Sequence, residues 1–130
     1  SGINKKSLHA LGGEAHCFMS DPDVAAEAKR RGITRAMVSM EKAARLSSDN
    51  LIFAIGNAPT ALIQLEQLIR EHQLAPKLII GVPVGFVNVV EAKELILQSG
   101  VPCIVARGNK GGSNIAAAIC NALLYQLYRA

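Results

Sequence analysis

Three apolar runs, each followed by a turn and then by hydrophobic residues at helical spacing, restrict this chain to an alternating α/β fold. The clearest unit runs from Leu51 to Leu65. Leu51-Ile52-Phe53-Ala54-Ile55 reads as a buried strand, Gly56-Asn57 as a tight turn, and Pro59-Thr60 as a helix start before Leu62, Leu65, Leu68 and Ile69. Pro59 brings a preset φ to a first turn whose N–H groups lack partners, and such donors attract anions. Asn57 and Thr60 either cap this helix or offer hydrogen bonds to a carboxylate, amide or phosphate. Leu78 to Val82 reads as a second such strand, interrupted by Pro83 to Val87 and followed by a helix with Val89, Val90, Leu95 and Ile96 on its apolar side. Val101 to Ala106 reads as the third. It opens into Arg107-Gly108-Asn109-Lys110-Gly111-Gly112-Ser113-Asn114 and a final helix from Ile115 to about Tyr128. Solidly apolar strands suit a parallel sheet with helices on both faces. In such sheets ligands collect beyond the carboxyl ends of the strands, the edge on which all three turns fall.

Ahead of these units, Asn4 caps a short helix to about Leu11, and Gly12-Gly13 ends it. Glu14 to Met19 reads as a further strand, giving a four-stranded sheet. Ser20-Asp21-Pro22-Asp23 starts a helix that Gly32 stops after Arg31, and Thr34 opens another from Arg35 to Leu46. The 130 residues contain no internal repeat or low-complexity linker, so residues 1–130 are expected to form one domain. A parallel sheet of this size keeps an uncovered edge unless more protein pairs with it.

Only 4% of the residues are aromatic, which excludes a base-stacking platform for single-stranded nucleic acid. A formal charge of +4 fits an acidic small ligand at least as well. No apolar run has the length of a membrane span and no signal peptide is evident, so a soluble protein of the cytoplasm is expected, with no nucleic-acid or membrane partner. Cys17, Cys103 and Cys120 lack the paired spacing of a zinc site and read as core thiols in a reducing compartment. The turn from Arg107 to Ser113 combines two cations with three glycines. It matches neither the P-loop nor the dinucleotide fingerprint, which leaves a flexible cationic anion site. Arg35 stands at a helix start, against the dipole, and calls for a partner, either a surface acid or a ligand carboxylate. His9 and His72 read as solvated, while His16 is open between solvent and core. The sequence offers no Ser-His-Asp order and no metal-ligand cluster, and Glu91 suits a helix dipole.

Taken together, Cys17-Phe18-Met19-Ser20-Asp21-Pro22, Thr34-Arg35, Ala54-Ile55-Gly56-Asn57-Ala58-Pro59-Thr60-Ala61, Gly81-Val82-Pro83-Val84-Gly85-Phe86-Val87 with Glu91-Ala92-Lys93, and Arg107 to Ser113 closely resemble the precorrin-8X methylmutase (precorrin isomerase) family of cobalamin biosynthesis. The resemblance runs in order over essentially the whole chain. It implies a flavodoxin-like three-layer α/β sandwich with a mostly parallel sheet, a homodimer, and a site that holds a tetrapyrrole polycarboxylate. The implied reaction moves a methyl group between adjacent ring carbons, turning precorrin-8X into hydrogenobyrinate, or the cobalt form into cobyrinate, without an added cofactor or metal. Members carry roughly another third of a chain ahead of the position of Gly2-Ile3, and the histidine proposed to act on the tetrapyrrole lies there. None of His9, His16 or His72 matches it. The chain therefore reads as the C-terminal portion of a methylmutase, with a non-catalytic corrinoid-binding module as the alternative. Asn4 and Arg35 fall at substrate-contacting positions of the family, and Asn57, Thr60, Arg107 and Ser113 join them as expected substrate-binding residues.

Overall fold

Local punctuation starts each of the first three helices in the computed structural model, which describes residues 2–46 and 50–127. The Asn4 side chain accepts from the Ser7 N–H and starts α1 (Lys5–Ala10). Pro22 opens α2 (Pro22–Arg31), which Gly32 closes at φ 67°. The Thr34 side chain accepts from the Met37 N–H at the head of α3 (Arg35–Ala44). Three strand–helix units follow: β1 (Ile52–Ile55) with α4 (Pro59–Arg70), β2 (Leu78–Gly81) with α5 (Val89–Leu97), and β3 (Cys103–Val105) with α6 (Ser113–Leu127).

The strands form one parallel sheet in the order β1-β2-β3, with Phe53 opposite Ile79 and Ile80 opposite Ile104. On one face Phe53, Ile55 and Ile79 meet Leu62 and Leu65 of α4, Ala92 and Ile96 of α5, and Ala36 and Ala43 of α3. On the other, Ile80 and Val82 pack under α6 through Ala116, Ile119 and Leu123. These are the three layers of an α/β sandwich. The first face carries a row of helices, since α4 packs on both α5 and α3, and α3 in turn on α2.

Four expectations are corrected. Glu14 to Met19 is not a strand, and the sheet has three strands among the described residues. A strand exists only through its neighbour, and this segment joins no ladder. It contributes Phe18 to the core instead, and leaves Cys17 exposed rather than buried. The strands are also not covered throughout. β2 is buried on both faces, but β1 alternates, and Ile52 is 58% exposed although α6 packs on both strands. In α5 the buried stripe is Val89, Ala92, Lys93 and Ile96, while Val90 and Leu95 are exposed. A spacing of i, i+3, i+4, i+7 puts those four on one side.

Candidate functional site

The three turns beyond the carboxyl ends of the strands are fastened to one another. The Val82 N–H donates to the Ile55 carbonyl, the Gly112 N–H to the Val82 carbonyl at 2.8 Å, and the Gly85 N–H to the Asn109 carbonyl at 3.1 Å. Two glycines allow this approach. A Cβ on Gly56 would come within 2.6 Å of the Ser113 Cα, and one on Gly111 within 2.0 Å of the Val82 carbonyl oxygen. The turns after β1, β2 and β3 thus form a continuous rim, and the heads of α4 and α6 open onto it.

Asn57 is exposed on the first turn, Ser113 is exposed at the head of α6, and Arg107 is exposed where the chain leaves β3. Thr60 and Thr34 meet through their hydroxyls at 3.0 Å, which draws the head of α3, and with it Arg35, to the same rim. Arg35 is exposed, and among the described residues no carboxylate pairs with it or with Arg107. This contrasts with Arg31, Lys42 and Arg70, which each hold an acid. Five of the six residues expected to bind substrate, Arg35, Asn57, Thr60, Arg107 and Ser113, therefore share one edge. Asn4 stands apart. Its N–H donates to the Asn121 side chain, its side-chain oxygen caps α1, and its amide lies 3.4 Å from the Tyr125 hydroxyl. Asn121 is roughly 12 Å along α6 from Ser113 at 1.5 Å per residue. A hollow of about 350 Å³ between the far ends of α3 and α4, lined by Glu41, Arg45, Gln64 and Glu71 among others, holds none of these residues.

Two further features complete the rim. Val84, Phe86 and Val87 stand out from the turn after β2, with Phe86 88% and Val87 79% exposed, so an apolar finger rises beside the cations. Beneath the third turn lies Lys93, whose functional placement local sequence reasoning missed. Its Nζ donates to the carbonyls of Gly108 at 2.7 Å and Lys110 at 2.9 Å. Burial, which disfavours the charged form, pulls its pKa below the ordinary lysine value. The signal available in the sequence was a lysine in register with Val89, Ala92 and Ile96. His9 and His72 are exposed as expected; His16 is exposed too, 3.5 Å from Glu14 and clear of the rim residues.

A cationic, donor-rich rim beside an apolar finger can hold an anionic ligand that also has a flat hydrophobic surface. Comparisons with known proteins bear on the family. Residues 1–126 match the family model for precorrin-8X methylmutase. The chain is 48% identical over 130 residues to the cobalt-precorrin-8 methylmutase of Salmonella typhimurium, covering all of this chain and 60% of that protein. It is also 48% identical to the cobalt-precorrin-8 methylmutase of Leptospira interrogans, covering 95% of this chain and again 60% of the relative. Among solved structures, precorrin-8X methylmutase from Thermus thermophilus superposes with a TM-score of 0.83 at 38% identity, covering 98% of this chain and 61% of that one. The chain thus spans about 60% of the length of the curated relatives it matches.

Proposed function

The chain belongs to the precorrin-8X methylmutase family, and from that premise we propose that its rim binds the acid groups of a corrin precursor for the isomerisation that moves a methyl group between adjacent ring carbons. The observation that carries the proposal is the gathering of Arg35, Arg107 and Lys110, none paired with an acid among the described residues, around one edge with Asn57, Thr60 and Ser113. Guanidinium groups take carboxylates in paired hydrogen bonds, so a polyacid is gripped at several points and its ring cannot turn. Phe86 and Val87 lie against the macrocycle face and shed water from it. Holding the ring still is the contribution of these residues, because methyl migration within one molecule depends on fixed geometry. The functional assembly is a homodimer acting in the cytoplasm, with residues 1–130 as one folded unit in it.

Incubation with precorrin-8X, followed by visible spectroscopy, tests the reading. Conversion to the hydrogenobyrinate spectrum is the expected outcome for a catalytically complete assembly. A bound but unchanged chromophore assigns this chain the role of a corrinoid-binding module, and no spectral or affinity response rejects both.

A further inference from the structure

Lys93 is 1% exposed, yet no carboxylate among the described residues pairs with it. A buried ammonium needs compensation, and here it comes from two main-chain carbonyls of the loop that crosses above, those of Gly108 and Lys110. Peptide planarity then dictates where the loop's donors point. In a trans peptide the C=O and the following N–H face opposite ways. Drawing the Gly108 carbonyl onto Nζ turns the Asn109 N–H away from Lys93, and drawing in the Lys110 carbonyl does the same to the Gly111 N–H. Neither amide donates to an acceptor among the described residues. Their surroundings are nonetheless fixed, because the Asn109 carbonyl accepts from Gly85 and the Gly112 N–H donates to Val82.

We propose that Lys93 is a positioning residue: it holds two loop carbonyls inward so that the Asn109 and Gly111 amides face outward as main-chain donors to ligand carboxylates, with its own ammonium behind them as a fixed positive charge. The inference rests on the polyacid reading above and gives it a second kind of contact. Outward amides backed by a cation form an anion seat whose field is set before the ligand arrives. No reorganisation is then needed on binding.

Amide-resolved NMR of the whole chain, with and without hydrogenobyrinate, tests the proposal. In the native chain the pigment should slow hydrogen exchange at Asn109 and Gly111 at least tenfold. In ligand-free Lys93→Ala the Gly85 and Gly112 amides should exchange at least tenfold faster, and the variant's affinity for the pigment should fall at least tenfold. Added n-propylammonium, which replaces the deleted part of the side chain, should restore both properties, whereas n-propanol should not. Unchanged exchange at Gly85 and Gly112 in folded Lys93→Ala overturns the proposal, as does equal rescue by the alcohol, which would show that the fixed positive charge is not needed. Should Lys93→Ala fail to fold, reductive methylation of the native chain decides: Lys93 left unmodified while Lys110 reacts supports the buried latch, and equal reaction of the two overturns it. Failure of the native chain to take up hydrogenobyrinate defeats the polyacid reading, and the ligand-free exchange comparison still judges the positioning role.

Discussion

At Gly111 the hydrogen that stands in for a side chain faces the Val82 carbonyl, and a methyl group there would sit 2.0 Å from that oxygen. The obstacle is backbone, which cannot swing aside, so Gly111→Ala should cost about 3 kcal/mol or more in urea denaturation. Gly108 supplies the contrast. Its φ is +86° but a Cβ would meet nothing within 4 Å, so Gly108→Ala should cost only about 1–2 kcal/mol, the penalty of a left-handed conformation. Equal losses at the two positions would contradict the close packing of the rim. Arg35→Ala and Arg107→Ala address binding rather than folding. Each should weaken hydrogenobyrinate affinity by about 1.5–3 kcal/mol in a spectral titration, the worth of a charge-assisted hydrogen bond. Melting temperatures should not move, because both side chains are exposed and lack an acid partner among the described residues. Unchanged affinity in both variants would remove the carboxylate clamp.

Among the elements, α3 is the one whose placement most affects the rim. Thr34 caps it through the Met37 N–H at 3.1 Å and touches Thr60 at 3.0 Å, so Thr34→Ala should destabilise by about 1 kcal/mol while Thr34→Ser keeps most of the loss from appearing. Near its other end Lys42 donates to Asp21 at 2.7 Å and Asp23 at 3.1 Å, tying α3 to the start of α2. The hydrogen bond from Lys42 is the chief cause that holds the Asp23 carboxyl below its usual 3.8. A carboxyl depressed in the folded state stabilises above its unfolded pKa and loses that contribution as pH falls through the folded value. Lys42→Met should therefore flatten the acid limb of thermal stability measured between about pH 2 and 5. Elements with local punctuation were legible from sequence: Pro22 and Gly32 bracket α2, Thr34 starts α3, and Gly56 with Pro59 turns β1 into α4. Glu14 to Met19 was misread because strand character is decided by a neighbour elsewhere in space, and the apolar composition of the segment says nothing of one. The shared edge of Asn57, Thr60, Arg107 and Ser113 was legible because each lies in a strand-to-helix connection that parallel-sheet geometry sends to one side, whereas Arg35 heads α3 and reaches that edge through the Thr34–Thr60 contact. Lys93 was not legible, since its partners lie 15 and 17 residues away along the chain and are carbonyls that every residue possesses.

For the molecule as a whole, the described fold is a narrow parallel sheet under a wider row of helices, with β1 and β3 each paired on one side only. The chain spans about 60% of the length of these curated relatives, and all three of its strand–helix units participate in the rim. The hydrogen bonds that shape the proposed seat, from Val82 to Ile55, Gly112 to Val82 and Gly85 to Asn109, also join the three units to one another. Loss of any one unit must therefore dismantle the seat, and occupancy of the seat must oppose loss of any unit. Calorimetry should reveal this as a transition that moves upward with hydrogenobyrinate concentration, by about 2.7 kcal/mol of added stability when the pigment reaches a hundredfold excess over its dissociation constant. A transition that ignores the pigment at that concentration would mean that the folded chain does not bind it in preference to the unfolded one, which defeats the polyacid reading. Heat resistance thus becomes a colour-blind assay for recognition, usable with tetrapyrroles whose spectra do not change on binding and with variants too impaired to turn anything over.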